Sequence, residues 1–136
     1  MKSGLSHQRN LLPNKIKIMF VMVLAVLALA STSWAANYYV DKNNTSASDS
    51  NPGTENRPWK SIQKGASIAV AGDTVYVKSG IYYEWVDVKN SGVEGKPITF
   101  KAFPGDKPII DGRGVDVPNW YGLFRSRGNN YITIDG

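Results

Sequence analysis

From residue 37 onward the chain is written in short runs that alternate apolar and polar residues. Val75-Tyr76-Val77, Val86-Asp87-Val88, Ile98-Thr99-Phe100 and Ile132-Thr133-Ile134 each put apolar side chains on one side. Tyr76, Asp87, Thr99 and Thr133 fall on the other, the pattern of strands with one buried face. Asn37-Tyr38-Tyr39-Val40-Asp41 reads as an opening strand of the same kind. Ser79-Gly80, Ser91-Gly92, Pro104-Gly105, Asp111-Gly112 and Gly128-Asn129 lie between the runs and mark corners. Residues 42–58 hold Asn, Ser, Thr, Pro and Gly with little that is apolar, and form a loop.

The runs also recur. Val77, Phe100 and Phe124 follow one another at a nearly even interval, and Val86, Ile110 and Ile134 keep the same interval. Ile110-Asp111-Gly112 returns as Ile134-Asp135-Gly136. Two tracks with one period predict a solenoid in which Val77, Phe100 and Phe124 stack inward on successive turns, as do Val86, Ile110 and Ile134. A β-sandwich would also offer short strands at this spacing, with Asp111-Gly112 turning a hairpin, but gives no reason for a shared period. Trp59, Ile62, Ala66 and Ala69 make one helical stripe and predict a helix over 59–70, with Pro58 at its entry and Gly72 as its stop. Such a helix would cover the open apolar end of the first repeat.

The charge of +5 is a property of the N-terminus. Lys2, Arg9, Lys15 and Lys17 precede an unbroken apolar run, Ile18 to Ala30, and then Ser33-Trp34-Ala35. That order predicts a signal peptide over 1–35, cut before Ala36, and so a secreted protein, extracellular or periplasmic, with no membrane contact after cleavage. The segment is shorter than the roughly 20 apolar residues of a membrane span. All but those four of the 16 basic residues lie beyond it, nearly balanced by the 11 acidic ones, which leaves no case for nucleic-acid binding. The only His, His7, goes with the leader, and there is no Cys. Residues 36–136 therefore cannot build a Ser-His-Asp or Cys-His nucleophile, a thiolate or imidazole zinc site, or a disulfide. The remaining organisation reads as strand, loop and capping helix over 36–73, then the first turns of a parallel β-helix over 74–136, truncated at its C-terminus.

Several motifs resemble the opening of pectate-lyase-like right-handed parallel β-helix proteins, of the kind seen in pectate lyase L, chondroitinase B and alginate lyases. They are Asn51-Pro52-Gly53-Thr54, Pro58-Trp59-Lys60-Ser61-Ile62-Gln63-Lys64, Gly72-Asp73-Thr74-Val75-Tyr76-Val77 and Gly80-Ile81-Tyr82. Gly95-Lys96-Pro97-Ile98-Thr99-Phe100-Lys101-Ala102, Ile109-Ile110-Asp111-Gly112 and Asn130-Tyr131-Ile132-Thr133-Ile134-Asp135-Gly136 continue it, so that it spans residues 37–136. The resemblance implies an enzyme that cleaves a uronate-containing polysaccharide by β-elimination, with Lys or Arg as base and calcium often neutralising the carboxylate; a monomer is expected. The catalytic and metal residues it implies lie beyond Gly136, and none is assigned within this chain. A non-catalytic glycan-binding or adhesin-like β-helix and a β-helix glycoside hydrolase are the alternatives.

Local candidates are few, and each has a plain structural reading beside it. Arg113, Arg125 and Arg127 could gather to hold a carboxylate, or be solvated surface charge. Tyr82, Tyr83, Trp85, Trp120 and Tyr121 could stack on sugar rings, or pack at coil corners. Asp111 and Asp135, one period apart, could pair or bind a cation, or simply turn the chain. Asp41, Asn43, Thr45 and Asp49 alternate as in a calcium loop, but Ser46 and Pro52 stand where such a loop needs Gly and Glu.

Overall fold

The computed structural model describes residues 34–118 and 121–136. The basic and apolar leader and Trp120 lie outside these described residues. The strands are β1 (Asn37–Val40), β2 (Thr74–Val77), β3 (Gly80–Tyr82), β4 (Val86–Asp87), β5 (Ile98–Ala102), β6 (Pro108–Ile110), β7 (Phe124–Arg125) and β8 (Ile132–Asp135), with one helix, α1 (Ile62–Ile68), between β1 and β2.

Every strand-to-strand ladder among the described residues is parallel. The chain visits three sheets in rotation: one ordered β1-β2-β5-β8, a second of β3-β6 and a third of β4-β7. The fold is all-β, a parallel β-helix. β5 and β6 lie in different sheets, so no hairpin forms across residues 103–107 and the sandwich alternative fails.

Strand alternation is as the sequence demands. Val75, Val77, Val86, Val88, Ile98 and Phe100 are buried, while Tyr76, Asp87, Thr99 and Thr133 face outward. The register, however, overturns both evenly spaced tracks. Phe100 pairs with Val75 on one side and Ile134 on the other, and with neither Val77 nor Phe124. Ile110 pairs with Tyr82, and Val86 with Phe124, so the second track breaks at both of its steps. Only strand residues must keep step in a coil, and the corners absorb insertions of any length. Phe100 and Phe124 do meet, with ring centroids 5.2 Å apart, but across the interior from two different sheets. With no cysteine available for a staple, the fold rests on such side chains, each contributing about 1.5–3 kcal/mol when fully buried.

The helix is shorter than its apolar stripe. Trp59 is extended instead: its N–H donates to Tyr39 O and its carbonyl accepts from Asp41 N, both at 2.9 Å. Its ring stacks on Tyr38 at 4.6 Å and stays in the core. Ser61 caps α1, and its Oγ accepts from Lys64 N at 3.1 Å. The two other free N–H groups of the first turn, on Ile62 and Gln63, donate to the Glu84 carboxylate at 3.0 and 2.8 Å. At the far end Ala69 leaves helical geometry, and Val70 N donates to Asp73. Asp73, buried, also accepts from Ala36 N and so ties the start of β1 to β2. Gly65 sets how closely α1 can approach β2, because a Cβ there would sit 2.8 Å from Val75 Cγ1.

The 42–58 loop is held by two carboxylates, Asp49 within it and Asp41 just before it. Asp49 accepts from Lys60 N, Ser61 N and Ser61 Oγ, and Asp41 accepts from Asn43 N. Phe100, Ile110, Phe124 and Ile134 line a cavity of about 160 Å³ at the β8 end of the coil.

Candidate functional site

The shortest sheet carries the densest chemistry. In β4 and β7, Val86 pairs with Phe124 facing inward, and Asp87 pairs with Arg125 facing outward. Trp85 and Tyr121 lie just before these strands and stack, ring centroids 6.4 Å apart and planes 13° from parallel. The Arg125 guanidinium lies 4.1 Å from the Tyr121 ring centre and 5.9 Å from that of Trp85. Its Nε stands 3.6 Å from Asp87 Oδ1 and, like Trp85 Nε1, has no hydrogen-bond partner among the described residues. Ring faces and charge therefore hold Arg125 in place. Arg127 donates from Nη1 to the Tyr121 hydroxyl at 3.0 Å and is otherwise exposed.

Asp87 is fixed in turn by α1. Its N–H donates to Gln63 Oε1 at 2.7 Å, and its carbonyl accepts from Gln63 Nε2 at 3.2 Å. Lys89 bonds its carboxylate as well. Lys89 and Arg125 thus share one carboxylate, Arg127 adds a further charge through Tyr121, and the patch is positive.

Of the sequence candidates, Trp85, Tyr121, Arg125 and Arg127 come together. Arg113 does not join them: its Nη2 lies 2.6 Å from Asp111 Oδ2, within a turn of its own. That hydrogen bond holds the Asp111 carboxyl below the usual carboxylate range. Asp111 and Asp135 do not share a position, because Asp135 pairs with Lys101, 3.5 Å away. Their common Ile-Asp-Gly setting was coincidence, since Ile110 belongs to β6 and Ile134 to β8. Tyr82 is no sugar platform: it is 2% exposed and its hydroxyl donates to Lys78 O at 2.9 Å. Burial, reinforced by nearby carboxylates, pushes that hydroxyl up to about 12. Tyr83 is exposed and stands with Lys42, whose Nζ lies 5.5 Å from its ring centre.

Asp87 was missed as a site residue, although its outward place in Val86-Asp87-Val88 was legible. The stack of Tyr39 on Tyr76 at 5.5 Å, with Phe103 edge-on to Tyr76 at 6.0 Å, was missed as well. Calcium finds no set of three His, Cys, Asp or Glu side chains among the described residues. No helix among them is long and apolar enough to cross a membrane. What the β4–β7 surface can do is offer aromatic faces beside guanidinium donors.

Comparison with known proteins gives this geometry a family. The chain is 40% identical over 99 residues to the uncharacterized protein YwoF of Bacillus subtilis, covering 72% of this chain and 20% of that protein. It is 34% identical over 87 residues to pectate lyase PEL9 of Emericella nidulans, covering 62% and 20%. It is 34% identical over 112 residues to lacto-N-biosidase of Bifidobacterium longum, covering 74% and 7%. The chain thus spans a fifth or less of each of these relatives. Residues 38–136 match the family described as Pel9A-like, right handed beta helix region, and with nearly all of the described chain inside that match the protein belongs to this family.

Proposed function

We propose that this chain is the N-terminal part of an exported β-helix protein that acts on polysaccharide, as a lyase cleaving uronate-containing polymers by β-elimination. The observation that carries the reading is the outward face of the four-stranded sheet. Parallel pairing lines up Asn37, Thr74, Thr99 and Thr133 in one row, and Tyr39, Tyr76, Lys101 and Asp135 in the next. Rows of hydroxyl, aromatic and charged groups spaced by about 4.8 Å suit an extended, hydroxyl-rich polymer. Kinship with a pectate lyase supports the same reading.

β-Elimination needs a cation to neutralise the uronate carboxylate, a base for the C5 proton and help for the leaving oxygen. In this reading the described turns supply binding surface and a closed start, with α1 covering the first turn. The base, and any calcium site, belong to turns that follow. The chain alone is then inactive. The test is unsaturated-product absorbance from pectate, alginate and chondroitin, with and without calcium, for this chain and for a protein that continues it. Unsaturated products from the longer protein alone support the proposal. Reducing ends without them indicate a glycoside hydrolase, the reading favoured by kinship with lacto-N-biosidase. Binding without turnover indicates a glycan-binding surface protein, which the Thr74-Thr99-Thr133 row would suit.

A further inference from the structure

We infer that the β4–β7 surface is an anchoring subsite for one acidic sugar unit, with Arg127 and Arg125 receiving its anionic group and Trp85 its ring. This rests on the polysaccharide reading, but concerns a place on the first turns rather than the chemistry. Tyr121 carries two guanidinium groups, Arg125 against its face and Arg127 on its hydroxyl. Gathering like charges costs free energy unless something answers them. Asp87 is already engaged by Lys89 and Arg125, so Arg127 is left without a carboxylate among the described residues. The cluster is built rather than casual. Gln63 fixes the Asp87 backbone, Asp87 and the Tyr121 ring fix Arg125, and the Tyr121 hydroxyl aims Arg127. A planar guanidinium matches a carboxylate with two parallel N–H donors, and a neighbouring ring face takes the C–H side of a pyranose.

The test is calorimetric titration of the purified chain with a defined oligogalacturonate, its methyl ester and a sulfated neutral galactan oligomer. Binding of the acid, with the ester at least about tenfold weaker, is expected, since a hydrogen bond to a charged group is worth roughly that factor or more. Arg127→Ala, at an exposed position, should weaken the acid about tenfold or more, leave the ester unchanged and leave Tm unchanged. Tyr121→Phe keeps the ring and frees Arg127, and should weaken the acid severalfold by the same logic. If the galactan binds as tightly as the acid and shares the Arg127 dependence, the site reads anionic charge on sugar in either form, and the inference stands. Three outcomes overturn it: no binding of the acid, equal binding of acid and ester, or binding indifferent to Arg127→Ala. In the last two the polysaccharide reading survives while the subsite falls. In the first, that reading rests on the turnover assay alone.

Discussion

Phe100 and Ile134 are direct partners in adjacent parallel strands, yet Phe100 is 2% exposed and Ile134 is 62% exposed. Both point into the coil. Phe100 has β2 on one side and β8 on the other, whereas Ile134 lies on the last strand of its sheet. In this chain by itself, Phe100→Ala should therefore cost about 3–5 kcal/mol, and Ile134→Ala well under about 1 kcal/mol. Denaturant unfolding of the two variants measures the contrast, and similar losses would show that Phe100 is not the core residue its burial indicates.

The same pair shows how far the sequence could be read. The alternation in Ile98-Thr99-Phe100 and Ile132-Thr133-Ile134 was enough to assign inward and outward sides, because period two is a local property of the backbone. It was not enough to pair the strands. Pairing depends on corner lengths, and the 111–123 connection lengthens one coil without leaving a mark in the strands themselves. Trp85, Tyr121, Arg125 and Arg127 were visible as candidates. Their meeting was not, because it follows from Val86 pairing with Phe124 rather than with the evenly spaced Ile110. Arg113 takes the other of its two readings, surface charge, because Asp111, almost adjacent in the chain, is the nearer partner.

Ile134, with Ile110 lining the same end of the coil, leaves apolar surface at the unpaired edge of β8. Open edges of this kind recruit other strands. The purified chain should self-associate with rising concentration in analytical ultracentrifugation, and Ile134→Lys should suppress this while changing stability by no more than about 0.5 kcal/mol. Persistent association of the lysine variant would place the contact elsewhere.

Gly65 gives a test in which two effects oppose each other. Alanine in a helix is favoured over glycine by about 1 kcal/mol from propensity alone. At this position the new methyl would sit 2.8 Å from Val75 Cγ1, and a buried valine has little room to yield. Overpacking of that kind costs about 1–3 kcal/mol. Gly65→Ala should thus be destabilising on balance, with a lower Tm. A rise in Tm would mean that α1 lies farther from β2 than the contact indicates.

Glu84 ties stability to pH in a direction opposite to most carboxylates. Burial raises its carboxyl above the ordinary 4.5, and the N–H groups of Ile62 and Gln63 offset this only in part. The native state then holds this proton more tightly than the unfolded chain does. Its stabilising share is full below 4.5 and is lost as pH rises through the elevated native value. Glu84→Gln cannot ionise, so it lacks that slope, though it gives up one of the two accepted N–H bonds. The stability advantage of the wild type over Glu84→Gln should accordingly be largest in acid and shrink as pH rises above 4.5, followed by denaturant unfolding across that range. An advantage that grows with pH would mean that the two N–H groups outweigh burial and hold Glu84 ionised at the start of α1.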